Sequence, residues 1–192
     1  MITKTAYVLL RNDYADWEAA SALAELRRSF GFSVQTMGLT TEPILSMGGL
    51  RVIPDIALPD FAPESAAILI LPGSDAWREG EVVEVSEAVN AMAALGQPVA
   101  AICAATLALA HAGLLDDREH TSNGRGFIAK YIHKYRGQAM YRASQAVSDR
   151  LVITANGVAP FAFAAEIFRT LAPGRKLDIE TYESLYAKGL LD

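Results

Sequence analysis

At 192 residues, with 52% apolar and 20% charged side chains and no low-complexity run, the chain suits one soluble domain that buries roughly 70% of its unfolded surface. Seventeen Lys and Arg against twenty-two Asp and Glu leave a net charge of −5, the wrong sign for a general nucleic-acid binder. A single cysteine, Cys103, excludes a disulfide framework and any multi-cysteine metal site, and a free thiol of this kind points to the cytoplasm.

The opening stretch, MITKTAYVLLRNDYADWE, holds an apolar run too short for a signal peptide and meets charge at once. Nothing later reaches the length of a membrane span, so no membrane is expected. Within the opening stretch TAYVLL reads as a strand, and ADWEAASALAELRRSFG as a helix with Trp17, Ala20, Leu23, Ala24 and Phe30 at helical spacing and Gly31 as its stop. FSVQTMGL is a second strand. PILSMGGLRVIPDIAL carries Gly48-Gly49 between two short apolar runs, the mark of a hairpin or an irregular excursion off the main sheet.

AAILILPG is almost continuously apolar up to Pro72-Gly73, as in a strand covered on both faces. EVVEVSEAVNAMAALG supplies a covering helix, with Val82, Val85, Val89 and Met92 on one face and Gly96 at its end. PVAAI is the next buried strand, and AATLALAHAGLL is the helix after it, closed by Gly113. Residues 130–150 gather Lys130, His133, Lys134, Arg136, Arg142 and Arg150 with three tyrosines, either a solvated surface loop or a contact for an anionic substrate or partner. RLVITANG and FAFAAEIFRTLAPG then repeat the strand and helix couplet.

This alternation predicts an α/β fold over residues 1–192: a three-layer, doubly wound, mostly parallel sheet, with no internal linker or repeat. Ligands in such folds collect beyond the carboxyl ends of the strands, here LLRNDYADWE, LPGSDAW, AICAAT and ITANGVAP. Cys103 lies where a buried strand breaks into a helix, so backbone N–H groups and the helix dipole favour its thiolate, with the small Ala101, Ala104 and Ala105 leaving room for the turn. An inert core cysteine is the alternative.

Glu18, beside Trp17 at a helix start, is either a carboxyl kept protonated to hydrogen-bond a thiolate or an ordinary first-turn carboxylate. The Gly73 and Ser74 amides can face a developing oxyanion. Thr106 is placed to bond a carbonyl one turn back, or to orient a water. His111, eight helical residues from Cys103 and thus about 12 Å away, is assigned to capping carbonyls. His133 belongs either to a lid or subunit contact or to the exposed polar surface, and Asp13, Tyr14, Asp16 and Asp75 come from loops at the same sheet edge.

Taken in register, DYADWE, LPGSDAW, AICAAT and VITANGVAPFAFAAEIF resemble the ThiJ/PfpI superfamily of flavodoxin-like cysteine proteins, which share the class I glutamine amidotransferase-like fold, from about Ala6 to Leu171. The resemblance implies that Cys103 is a reactive cysteine on a nucleophile elbow with Glu18 as its protonated partner. It also implies that Gly73, Ser74 and Ala104 border an anion pocket, and that the molecule is a homodimer. The hydrolase-like branch carries a histidine directly after the cysteine, whereas position 104 is alanine; another family histidine falls at Asn123, with His120 three residues earlier as the accessory candidate.

The glutamine amidotransferase activity itself is disfavoured, because its late His-x-Glu pair has no counterpart. What remains is a cysteine-dependent hydrolase or lyase acting on a small electrophile (an α-oxoaldehyde, an amide or an isonitrile), a redox-sensing or stress-response protein with Cys103 oxidised to sulfinate, or a binding module that lost the chemistry. No metal or cofactor is expected.

Overall fold

The computed structural model describes residues 4–78 and 82–188, the side chains of Val82, Ala187 and Lys188 excepted. Its first half runs β1 (Thr5–Leu9), α1 (Asp16–Arg28), β2 (Ser33–Gly38), a pair of short strands β3 (Ile44–Leu45) and β4 (Arg51–Val52), then β5 (Ile56–Ala57) and β6 (Ala66–Leu71). The second half runs α2 (Val82–Ala94), β7 (Val99–Ile102), α3 (Thr106–His111), α4 (Phe127–Tyr131), β8 (Ala146–Asp149), β9 (Val152–Ala155), α5 (Pro160–Leu171) and α6 (Lys176–Lys188).

Seven strands form one sheet in the order β5-β2-β1-β6-β7-β9-β8, and every pairing in it is parallel except β8 with β9 at one edge. The apolar run of β6 explains the layers. Leu69 and Leu71 point to one face, beneath Val85, Val89 and Met92 of α2 and Leu107 of α3; Ile68 and Ile70 point to the other, beneath Ala22 and Leu26 of α1 and Phe163 and Phe168 of α5. Both faces are thus covered, as the unbroken hydrophobicity of the strand requires. Val82, expected on the face shared with Val85, Val89 and Met92, lies outside the described side chains.

The Gly48-Gly49 excursion is a hairpin: β3 and β4 pair antiparallel, apart from the main sheet. Beyond the hairpin the chain does something its sequence does not announce. Ile56 and Ala57 return to pair with β2 as the outer parallel strand, a segment too short to show a period of its own. The helix after Cys103 is also shorter than expected, because residues 103–105 form a 3-10 turn before Thr106 and the chain leaves the helix at His111 to bury Leu114 and Leu115. α6 is unannounced in the sequence, where among the described side chains Ile179 and Tyr182 are the buried ones, set among polar residues. Residues 130–150 are no single solvated loop: Ile132 and Tyr135 are buried and β8 closes the sheet, while Lys130, His133, Lys134 and Arg136 stay exposed.

Candidate functional site

Ile102, the last residue of β7, is paired with Ala155 of β9 and has extended backbone. Cys103 comes next with φ +62°, a left-handed value that costs a residue with a Cβ about 1 to 3 kcal/mol. Such a turn lifts the side chain off the strand end instead of tucking it under the helix, and the neighbours that would crowd it, Ala101, Ala104 and Ala105, are small and buried. Thr106 locks the turn by donating its hydroxyl to the Cys103 carbonyl at 2.7 Å, as expected, and exchanges a second 2.7 Å bond with Ser122.

Two glycines wall the sulfur. A Cβ on Gly157 would lie 2.7 Å from Cys103 Sγ and 3.1 Å from Glu18 Oε1; one on Gly73 would lie 2.7 Å from Glu18 Oε2 and 3.1 Å from Sγ. Glu18, in the first turn of α1, is only 1% exposed and hydrogen-bonds the thiol. Its other strong contact is the Gly73 N–H, which donates to Oε2 at 2.5 Å. That amide is therefore spent on the carboxyl, a correction to its expected place in an oxyanion hole. Ser74 also faces elsewhere with its hydroxyl, which donates to the Asn12 carbonyl at 2.6 Å and accepts the Ala76 N–H. Of the expected anion-pocket amides, the Ala104 N–H is the one that bonds the sulfur.

Asn123 completes the group. Its Oδ1 accepts the Gly157 N–H at 3.0 Å, which turns its amide nitrogen onto Cys103 Sγ at 3.0 Å. His120 is no substitute base: it is fully buried, its Nδ1 bonded to the Arg118 carbonyl at 2.7 Å and its Nε2 to the Tyr135 hydroxyl at 2.5 Å. Donation from Nδ1 to the carbonyl leaves Nε2 to accept from the phenol. Burial lowers the His120 pKa and pushes that of Tyr135 up to about 12. His111 bonds Ser86 of α2 at 2.8 Å, a side-chain partner in place of the capped carbonyls expected.

Among the loop residues, Asp16 accepts the Gly48 N–H at 2.7 Å and so ties the hairpin to α1, and Asp75 pairs with Arg78. Tyr14 bridges Ser46 and Ser74 through its backbone, and Asp13 turns the chain with φ +56°. Among the described residues no group of three or more His, Cys, Asp and Glu is arranged to hold a metal ion, and no helix is long and apolar enough to cross a membrane.

The electrostatics reverse one expectation. Burial pushes the Cys103 thiol up to about 11, and the adjacent Glu18 carboxylate adds to the rise, against the Asn123 amide and the Ala104 N–H that pull it down. The short 3-10 turn and six-residue α3 supply too little aligned dipole to outweigh this. Burial raises Glu18 as well, opposed by the Gly73 N–H and by the thiol. Trp17 is half exposed at the rim, and its indole N–H reaches the Gly157 carbonyl at 3.4 Å. Between the two ionisations the pair carries one negative charge and one proton.

The sulfur opens into a cleft of about 720 Å³. Trp17, Tyr141 and Val158 give it apolar walls, and Ser122, Asn123, Gln145 and Asn156 polar ones. Sequence reasoning missed Gly157 and Tyr141; the first was legible only as the Asn-Gly turn after a strand, the second had no local signal.

The family model described as DJ-1/PfpI family matches residues 4–170. The chain is 36% identical over 178 residues to Uncharacterized protease YoaZ of Bacillus subtilis (strain 168), covering 89% of this chain and 85% of that one. It is 27% identical over 170 residues to Glutathione-independent glyoxalase DJR-1.2 of Caenorhabditis elegans, with 88% and 89% covered. Among solved structures, DJ-1 superfamily protein Atu0886 from Agrobacterium tumefaciens superposes with a TM-score of 0.87 at 34% identity, over 96% of this chain and 100% of that one.

Proposed function

The chain belongs to the DJ-1/PfpI family, and from that membership we propose that it is a cysteine-dependent enzyme converting a small α-oxoaldehyde and water into the α-hydroxy acid. The observation that carries the proposal is the contact set of one atom: Cys103 Sγ, raised on a left-handed residue, meets Glu18, the Asn123 amide and the Ala104 N–H at the floor of an open cleft. The glyoxalase name of the Caenorhabditis elegans relative supports the same substrate class.

In this reaction the thiol passes its proton to the Glu18 carboxylate as sulfur bonds the aldehyde carbon, and the carbonyl π pair moves onto oxygen, where the Asn123 amide donates to it. Return of the Glu18 proton gives a hemithioacetal. Glu18 then removes the proton from the former aldehyde carbon, giving an enediol, and delivers it to the adjacent carbon while the hydroxyl proton passes to the neighbouring oxygen, leaving a thioester with an adjacent hydroxyl. Water cleaves the carbon–sulfur bond, and the thiol regains its proton. No electron is gained or lost overall.

A second reading, oxidation of Cys103 to sulfinate by two equivalents of peroxide, each leaving one oxygen and departing as water, is favoured by the histidines. His111 and His120 are bonded elsewhere, and His133 is exposed. Thiol oxidation starts from the thiolate and shuttles no proton between carbons, so it needs no histidine beyond the Glu18 carboxylate already beside the sulfur. We also propose that two copies of the chain pair, supported by the exposed apolar side chains of the β3–β4 hairpin.

Two measurements separate the two chemical readings. Purified protein is given methylglyoxal without added thiol, and hydroxy acid is measured beside a Cys103→Ser variant. Turnover lost at least 100-fold in the variant is expected; equal turnover overturns the enzyme reading. Intact mass after mild peroxide then decides the second reading, by whether Cys103 or a methionine gains oxygen.

A further inference from the structure

Thr106 makes two side-chain hydrogen bonds with one proton, and the direction of each follows. Its hydroxyl donates to the Cys103 carbonyl at 2.7 Å, so in the second bond, also 2.7 Å, it accepts and Ser122 donates. The result is a directed chain from Ser122 through Thr106 to the backbone of Cys103, with both hydroxyl-bearing residues buried. The carbonyl has a second donor in the Thr106 N–H. What the hydroxyl adds is the link to Ser122, 16 residues away in the segment after α3.

That link falls at the place where the segment needs it. Upstream of Ser122, His120 is fixed by Tyr135 and Thr121 by Thr154 of β9. Downstream, Asn123 is exposed and is followed by Gly124 at φ +134°, a backbone range that favours glycine. Asn123 nonetheless brings its amide nitrogen to 3.0 Å from Cys103 Sγ. The contacts close a ring from the sulfur through Asn123, Ser122 and Thr106 back to the Cys103 carbonyl. Both ends of Cys103, its side chain and its carbonyl, are thus tied to one short stretch of chain.

We propose that Thr106 and Ser122 are positioning residues for Cys103: their linked hydroxyls hold the segment after α3 in register with the elbow and so keep the Asn123 carboxamide on the sulfur. This rests on the reading of Cys103 as the reacting atom of the cleft. An N–H donated to sulfur favours thiolate over thiol, so the register is read out as the acidity of Cys103. Among the described residues, the other titratable groups that face the sulfur are the Glu18 carboxyl from α1 and, across the cleft, the Tyr141 phenol, and neither is bonded to Thr106 or Ser122.

The test uses the full chain, whose lone cysteine lets intact mass follow labelling by iodoacetamide. In that reaction sulfur forms a bond to carbon, iodide leaves with the electron pair, and the thiol proton goes to solvent. Rates across pH are measured for the wild type, Ser122→Ala, Thr106→Val, Thr106→Ser, Asn123→Ala, and Ser122→Ala combined with Asn123→Ala. The midpoint is expected to rise by roughly half to one pH unit in Ser122→Ala and in Thr106→Val, which slows labelling about three- to tenfold below the midpoint. Thr106→Ser keeps the hydroxyl and is expected to keep the wild-type midpoint. Asn123→Ala is expected to raise the midpoint at least as far and to leave Ser122→Ala nothing more to change. A wild-type midpoint in Ser122→Ala overturns the positioning role, and so does an equal rise from Ser122→Ala with and without Asn123, because the hydroxyls then act independently of the carboxamide. If Thr106→Val does not fold, Ser122→Ala decides from the other end of the chain of bonds. Midpoints that move as expected in a protein without methylglyoxal turnover overturn the enzyme reading alone, and unmoved midpoints in one with turnover overturn the positioning role alone.

Discussion

Cys103 and Glu18 share one proton across a contact that burial has made mutually dependent. With the thiol pushed up to about 11 by burial and by the carboxylate beside it, removing the carboxylate's charge lowers the thiol. Glu18→Gln is therefore expected to move the midpoint of iodoacetamide labelling to lower pH, making the thiolate more abundant at neutral pH while depriving the reaction of its proton carrier. Labelling across pH against methylglyoxal turnover checks this; an unmoved or higher midpoint contradicts the coupling. At this scale local pattern placed Cys103 at a strand end and Glu18 at a helix start but left the role of each open; their pairing was implied by the family resemblance, and the structure puts the two side chains in contact. Local pattern did not show the burial and the Glu18 carboxylate that push the thiol up, nor the use of the Gly73 amide, since both depend on which atoms the fold brings within 3 Å: the Gly73 N–H already serves Glu18. Asn123 was recognisable as the replacement for a histidine, but its bond to sulfur depends on the Gly157 amide, 34 residues away.

Between residues and molecule stands the segment from His120 to Asn123, which carries the carboxamide to the sulfur. One end is fixed by the buried pair of His120 and Tyr135, and the middle by Thr121, whose N–H donates to Thr154 of β9 at 2.9 Å and whose hydroxyl donates to the Ser144 carbonyl. Tyr135→Phe removes the phenol proton and strands His120 Nε2 as a buried acceptor, a loss of about 1 to 3 kcal/mol. A lowered midpoint of urea unfolding with an unchanged slope is the expected result; no change in midpoint would mean that the pair contributes nothing to stability. Strands β1, β6, β7 and β9 and helices α1, α2 and α5 were legible because continuous or 3.6-residue apolar patterns are properties of neighbouring residues. The two-residue β5 and the narrow buried stripe of α6 are not, since each is defined by what it meets: Met37 and Gly38 of β2 in one case, and Ser21 of α1, bonded to Tyr182 at 2.5 Å, in the other.

At the scale of the molecule, the β3–β4 hairpin stands off the main sheet with Leu45, Leu50 and Ile53 at 52%, 60% and 67% exposure. Asp16 ties its tip to the helix that carries Glu18, so pairing of two copies through the hairpin would sit close to both Cys103 clefts. A homodimer is the expected mass in solution by light scattering, and Leu50→Asp with Ile53→Asp is expected to yield a folded monomer; a wild type that is monomeric at micromolar concentration removes the pairing proposal. The negative net charge keeps such a surface from non-specific association away from this patch.

Gly73 and Gly157 close on the sulfur from two sides, with the acid and the carboxamide taking up much of what remains. A flat carbonyl can then be met from one direction only. In the proposed reaction the proton would then be delivered to the neighbouring carbon on a single face, and the hydroxy acid would leave with one handedness, set by the absence of two methyl groups.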